Sequence, residues 1–204
     1  MPIIKRWKEN VNQEVIIWNI TEDESYFTNA IGITTNKIHQ KKRLEFLASR
    51  LALKLLVPQL SFDDIVIDGE GKPYIKDGAL HFSISHSYPY IAVIVDAKHS
   101  VGIDIQTKQE KILSLQTKFL SNFEMDLCKN DIDLITLCWC YKEAMFKKYS
   151  KGGIDFKVHM PIVSMQNLNT FEIATIAFRK TNPEILYNFK GGIEQEYCWA
   201  ISID

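Results

Sequence analysis

Val101-Gly-Ile-Asp-Ile-Gln106 is the stretch on which the fold turns. Taken with period two, it places Val101, Ile103 and Ile105 on one face and Gly102, Asp104 and Gln106 on the other. The first is the face of a buried strand. The second carries a carboxylate beside a glycine, whose missing side chain leaves room for a ligand. An aspartate on so apolar a strand is costly to bury without a partner. A divalent cation is one such partner; a backbone turn or an arginine is another.

Just upstream, Leu80-His-Phe-Ser-Ile-Ser-His-Ser87 alternates Phe82 and Ile84 with Ser83 and Ser85, the pattern of a strand with one polar face, and His86 stands at its end. The adjacent Ser85 and His86 point oppositely on a strand and lack a Gly-x-Ser-x-Gly elbow, so they form a poor nucleophile-base pair. Small hydroxyls and a histidine suit hydrogen bonding to an anion better. Tyr90-Ile-Ala-Val-Ile-Val95 is a continuous apolar run, as in a central strand. Residues 80–106 are therefore expected to form three consecutive strands in an antiparallel meander.

Further upstream, Val15–Ile20 is a first strand, and Thr21 with Glu24 is the expected capping box of a short helix. Lys41–Val57 is a strong helix: Leu44, Leu47, Ala48, Leu51 and Leu55 make one apolar stripe, and Arg43, Arg50 and Lys54 a second, basic one. Lys37 and Lys54 suit a solvated flank. Arg50, between small residues near the helix middle, could offer a phosphate its forked donors. Pro58 ends this helix. After a short strand at Ile65–Ile67, Asp68-Gly-Glu-Gly-Lys-Pro-Tyr74 is a hairpin turn that accounts for its glycines but not for Lys72 at its exit.

Downstream of Gln106 the chain turns helical. Leu113–Leu120 is one segment, and Ser121 three residues before Glu124 forms a capping box for the next. Leu134–Tyr149 is apolar nearly all round, so Glu143 and Lys147, which share a side with Trp139, need partners other than water. Lys151-Gly-Gly153 is the expected stop. Strands follow at Thr170–Arg179, Ile185–Phe189 and Glu196–Ile203, with Gly191-Gly192 as a hairpin turn signal.

A chain of 204 residues can bury one or two cores. Its net charge of −1 advertises neither nucleic acid nor membrane, so any anion site must come from a local cluster. No apolar run approaches a membrane span and the first ten residues lack a signal-peptide core, which gives a cytoplasmic expectation. Cys128, Cys138, Cys140 and Cys198 have no zinc-like spacing with histidines and suit reduced core thiols.

In order along the chain stand Ala-Ser-Arg50, Gly-Lys-Pro73, Phe-Ser-Ile-Ser-His86, Val-Gly-Ile-Asp104 and Trp-x-x-Lys-Glu-Ala-x-x-Lys147. Together they resemble the 4'-phosphopantetheinyl transferase superfamily, in its long, single-chain, surfactin-synthetase-activating (Sfp-like) branch. The motifs cover about residues 43 to 148, and the last two are the most specific.

The resemblance implies an α+β fold of two similar subdomains, residues 1–100 and 101–204, related by pseudo-twofold symmetry, with antiparallel sheets and packed helices. It implies transfer of the phosphopantetheine arm of coenzyme A, the co-substrate, to a serine of an apo acyl or peptidyl carrier protein. Adenosine 3',5'-bisphosphate is released, Mg²⁺ (or Mn²⁺) is required, and the chain works as a monomer. Asp104 and Glu143 would hold the metal, as two carboxylates suit a hard cation that keeps several waters. Gln106 stands where the family usually has Glu and could be a neutral ligand. Arg50, Lys72, Pro73, Ser85 and His86 match coenzyme A-binding positions. Lys147 would neutralise charge on the pyrophosphate. Glu143, directly or through a metal-bound water, is the first candidate for the base and Glu124 the second. Two rivals remain: a carrier-binding module impaired by Gln106, and a metal-dependent phosphohydrolase acting on nucleotides.

Overall fold

The computed structural model describes residues 3–78, 80–168 and 171–203. The chain divides into two compact units, Met1–Ser100 and Val101–Asp204, each with its own antiparallel sheet, which makes the fold α+β. No described helix is long and apolar enough to cross a membrane.

The first unit opens with a hairpin, β1 (Ile3–Lys8) and β2 (Gln13–Asn19), of which only the second announces itself in the sequence. β1 is an edge strand whose burial alternates between half-buried and exposed, too weak an apolar pattern to stand out. Helix α1 (Glu24–Ile31) is capped by Asp23, whose side chain accepts from the Tyr26 amide; the expected Thr21 cap lies two residues too early. Helix α2 (Gln40–Leu56) buries Leu44, Leu47, Ala48 and Leu51 against Ile16, Trp18, Ile91 and Val93 of the sheet. Each of these leucines withdrawn from water contributes roughly 1.5–3 kcal/mol. Arg43 ties α1 to α2 through Glu24 at 2.8 Å, and Lys54, expected on a solvated flank, donates to the Leu60 carbonyl at 2.7 Å.

Strands β3 (Ile65–Ile67) and β4 (Pro73–Ile75) form a separate small hairpin. Strands β5 (His81–Ser87) and β6 (Tyr90–Asp96) complete the main sheet, in the order β1-β2-β6-β5.

The third strand of the expected meander goes elsewhere. Strand β7 (Ile103–Thr107) pairs with β11 (Tyr197–Ile203) at the edge of the second unit's sheet, with Asp104 opposite Ala200 and Gln106 opposite Cys198. Residues 97–102 carry the chain out of the first sheet, so sequence adjacency misleads here.

Between β7 and β11 lie α3 (Lys111–Phe119), α4 (Asn122–Cys128), α5 (Ile132–Tyr149) and the single turn α6 (Phe156–His159). Strands β8 (Ile162–Asn167), β9 (Glu172–Phe178) and β10 (Ile185–Ile193) follow. The sheet order is β7-β11-β10-β9-β8. Strand β8, with a mostly exposed burial pattern, has no clear alternation in the sequence to announce it. The strand expected from Thr170 is observed from Glu172, and Thr170 itself lies outside the described residues.

Two glycine pairs behave differently from expectation. Helix α5 stops one residue before the Lys151-Gly-Gly153 segment, at Ser150 in the left-handed region. Gly191 and Gly192 are not a turn: both lie inside β10, because a Cβ at Gly191 would come within 2.7 Å of Leu137 and Tyr141 side chains, and one at Gly192 within 2.4 Å of the Trp199 ring.

Candidate functional site

The polar face of β7 lies under helix α5. A Cβ on Gly102 would fall 1.8 Å from the Ala144 carbonyl oxygen and 2.9 Å from the Lys148 amide nitrogen. The glycine therefore admits the helix backbone and does not leave room for a ligand. Its position is fixed by a pair of hydrogen bonds: the Gly102 amide donates to Ser202 Oγ at 3.1 Å, and the Ser202 amide donates to the Gly102 carbonyl at 2.9 Å. That close approach brings α5 side chains onto Asp104.

Asp104 is buried, 5% exposed. Lys147, on the last turn of α5, donates to its Oδ1 at 2.7 Å and to the Ile103 carbonyl at 3.1 Å. Glu143, one turn earlier, is half-buried, and burial together with the negative charge of Asp104 pushes its carboxyl up to about 7, with Lys147 opposing. Strand and helix thus converge two carboxylates and an ammonium at one point. Gln106 follows on the same face of β7 as Asp104 and lines a cavity of about 260 Å³ with Thr136 and Trp139 of α5.

Among the described residues no group of three His, Cys, Asp or Glu is arranged to hold a metal ion. The donor set Asp104, Glu143 and the Gln106 amide nonetheless fits Mg²⁺, which usually takes one or two protein carboxylates and fills its octahedron with water and phosphate oxygens. A cation there would offset both the burial and the Asp104 repulsion that raise Glu143.

Glu124 lies in a different setting. It is 1% exposed and closes the expected capping box, its Oε2 accepting from the Ser121 amide at 2.6 Å. Its Oε1 accepts from the Ile162 amide at 2.8 Å and pairs with Lys142 at 2.6 Å. Lys142, fully buried, also donates to the Phe156 carbonyl at 3.0 Å. Burial pulls the Lys142 pKa down, and Glu124 holds it up. Both carboxylate oxygens of Glu124 are thus spoken for inside the core, which makes this residue a brace between α4, α5 and β8 and a poor proton acceptor for a substrate.

The remaining candidates belong to the first unit. The Arg50 guanidinium lies 4.6 Å from the centre of the Phe46 ring, and burial lowers its pKa from the ordinary value. The Lys37 ammonium sits 5.8 Å from the centre of the same ring. Lys72 is set by the side chain of Asp68, which accepts from the Glu70 and Lys72 amides at 2.9 and 2.8 Å, and Pro73 then begins β4. Ser85 is buried on β5, whereas the next residue, His86, is exposed, with Nδ1 3.4 Å from Glu45 Oε2. Glu45, only 4% exposed, also pairs with Lys42 at 2.7 Å.

No protein-family model matches the chain. Among curated proteins, 176 residues align at 29% identity with a Haemophilus influenzae protein named "Putative 4'-phosphopantetheinyl transferase". The alignment covers 79% of this chain and 71% of that one. A Bacillus subtilis protein named 4'-phosphopantetheinyl transferase is 33% identical over 88 residues, 40% of this chain and 39% of its own length. Both alignments make the chain similar to proteins named 4'-phosphopantetheinyl transferase.

Three residues have settings that the sequence pattern alone does not reveal. Lys142 falls inside the Trp-x-x-Lys-Glu motif and is a core cation, not a surface one. Glu45 looks like an ordinary helix-surface acid until α2 is seen against β5. Thr136 Oγ1 is buried without a hydrogen-bond partner among the described residues, and it faces the cavity that Gln106 lines. An apolar helix with a glutamate and three lysines carries a usable signal for the first: a lysine buried in such a helix has to be matched by an acid from elsewhere.

Proposed function

We propose that this protein transfers the 4'-phosphopantetheine arm of coenzyme A to a serine of an apo acyl or peptidyl carrier protein, releasing adenosine 3',5'-bisphosphate. The names of the relatives support the general activity. The observation that carries the reading is the convergence of Asp104, Glu143 and Lys147 at the β7–α5 contact.

Asp104 and Glu143, with the Gln106 amide, would hold Mg²⁺ or Mn²⁺, and the bound ion would offset charge on the pyrophosphate of the donor. Lys147 is held by Asp104 and the Ile103 carbonyl, so its ammonium stays near the same point and adds charge for the leaving phosphate. Glu143 is the proton acceptor for the attacking serine; Glu124 is not, since its oxygens are engaged in the core. Arg50, Lys72 with Pro73, Ser85 and His86 are assigned to coenzyme A, Arg50 and Lys72 as donors to phosphate. Most of the rate then comes from positioning and charge stabilisation. The four buried free cysteines suit a reducing cytoplasm.

The test is an intact-protein mass spectrum of apo carrier after incubation with coenzyme A and Mg²⁺. The expected result is one phosphopantetheine mass gain on the serine, abolished by Asp104→Ala and by Glu143→Ala in variants that still fold. Near-normal turnover in either variant refutes the metal assignment. Binding of apo carrier with no mass gain would indicate the impaired module, and coenzyme A breakdown without carrier the phosphohydrolase.

A further inference from the structure

All four cysteines lie in the second unit, and they fall into two unlike pairs. Cys140 donates to the Cys198 carbonyl and Cys198 to the Asp133 carbonyl, each at 3.5 Å. Burial pushes both thiols up, Cys198 to about 12, so these two behave as inert core side chains. Cys128 and Cys138 instead face each other, with their Sγ atoms 3.6 Å apart.

That contact is held from outside the pair. Cys128 is the last residue of α4, one turn after Glu124, and Cys138 lies on α5, one turn before Lys142. The Lys142–Glu124 ion pair at 2.6 Å therefore sets the spacing of the two helices one turn away from the sulfurs. A third sulfur covers the site, Met165 Sδ on β8, 3.8 Å from Cys138 Sγ. A disulfide needs an S–S distance of about 2.05 Å, so the thiols must close by about 1.5 Å, which a rotation of about 30° at each χ1 supplies. The linked product is uncharged, which suits a site where Cys128 and Cys138 are 1% and 2% exposed.

The two thiols are not equivalent. A hydrogen bond from Cys138 holds the Cys128 thiol below its ordinary pKa, with burial opposing; the same bond, together with burial, holds Cys138 well above. Access comes through the end of α4. This helix has seven residues, and its Phe123 and Leu127 are 59% and 44% exposed. The next two residues, Lys129 and Asn130, both stand at positive φ, 49° and 59°. A helix this short, with two large apolar side chains in water and two non-glycine residues in the left-handed region behind it, opens at that end before the core does.

We propose that Cys128 and Cys138 form an oxidative modification site, which a small hydroperoxide converts into an intramolecular disulfide. The inference stands whether or not the chain is a transferase. The Cys128 thiolate attacks one peroxide oxygen: the S–O bond forms, the O–O bond breaks, and the hydroxide released takes up the proton that the thiol gave, leaving a sulfenic acid and water. Cys138 Sγ then attacks Cys128 Sγ: the S–S bond forms, the S–O bond breaks, and the hydroxyl leaves with the Cys138 proton as a second water. Two thiols lose two electrons in all, and one hydrogen peroxide is reduced to two waters. Cys138 thereby stops Cys128 from going on to the irreversible sulfinic acid.

The test treats the folded full chain, freed of reductant, with hydrogen peroxide. It reads intact mass and a non-reducing peptide map, with methionine sulfoxide as the internal gauge of exposure. The expected result is a loss of about 2 Da, with the Cys128 and Cys138 peptides linked and full recovery on adding dithiothreitol. In Cys138→Ser the loss disappears, and Cys128 gains about 16 or 32 Da instead. Cys138→Ala gives the same readout where a buried serine hydroxyl disturbs folding, which circular dichroism reports. A chain whose methionines oxidise while the 2 Da loss stays absent overturns the proposal. So does a link mapped to Cys140 or Cys198, a loss seen only in the urea-unfolded chain, or a Cys128 left unmodified in both variants.

Discussion

Removing the Lys142 side-chain charge, as in Lys142→Met, is expected to cost far more stability than its surface-like sequence context suggests. Lys142 and Glu124 side chains are 0% and 1% exposed, with N–O at 2.6 Å. Breaking a buried pair by removing one member typically costs about 3–5 kcal/mol, since the other charge is left uncompensated. Glu124 would retain its two backbone amides, from Ser121 and Ile162, which places the expected loss at the lower end of that range. For a chain of this size about 3–5 kcal/mol corresponds to roughly a 6–20 °C fall in the melting temperature of the affected unit. The reciprocal variant, Glu124→Gln, strands the lysine and is expected to lose a similar amount. The double variant is expected to recover at least half of the summed loss, because a neutral pair in an apolar setting is often no worse than the ion pair. Urea or thermal unfolding followed by circular dichroism measures all three, with carrier modification assayed on the same samples. Strict additivity of the two single losses, or a loss below about 1 kcal/mol for Lys142→Met, would refute the brace. Glu124→Gln that keeps its stability but loses transfer would return Glu124 to the catalytic set.

Three other outcomes are expected. Gly102→Ala places a methyl 1.8 Å from the Ala144 carbonyl, so α5 must shift; a loss beyond the usual 1–3 kcal/mol of overpacking and a fall in transfer are expected, and a melting temperature within about 1 °C of the parent would contradict the contact. Gln106→Glu adds a third carboxylate beside Asp104 and should shift the Mg²⁺ dependence of transfer to lower concentration; an unchanged titration counts against its nearness to the ion. Arg50→Ala or Lys72→Ala should raise the KM for coenzyme A more than for its 3'-dephospho analogue if they grip the 3'-phosphate, and equal effects on the two donors would place them elsewhere.

Much of this chain is legible locally. The alternation in Val101–Gln106, the apolar stripe of α2 and the all-round apolarity of α5 each follow from one period of side chains, and each element lies where that period puts it. The motif residues could be named as candidates because their types and order are properties of the chain itself. What stayed hidden was decided by pairing over long separations. Strand β7 left the neighbouring hairpin for β11, almost a hundred residues away, and no local signal marks such a choice. Gly191 and Gly192 resembled a turn because only the packed Leu137, Tyr141 and Trp199 rings and chains explain why a side chain is excluded there. The capping role of Glu124 is local and legible, whereas its pairing with Lys142 depends on α4 and α5 lying side by side. Sequence alone determined which residues alternate, cap and carry charge, since those depend on neighbours along the backbone. Tertiary structure alone decided which charges meet and which are shielded from water, since the energy of a buried charge depends on groups that the chain brings close only after it has folded.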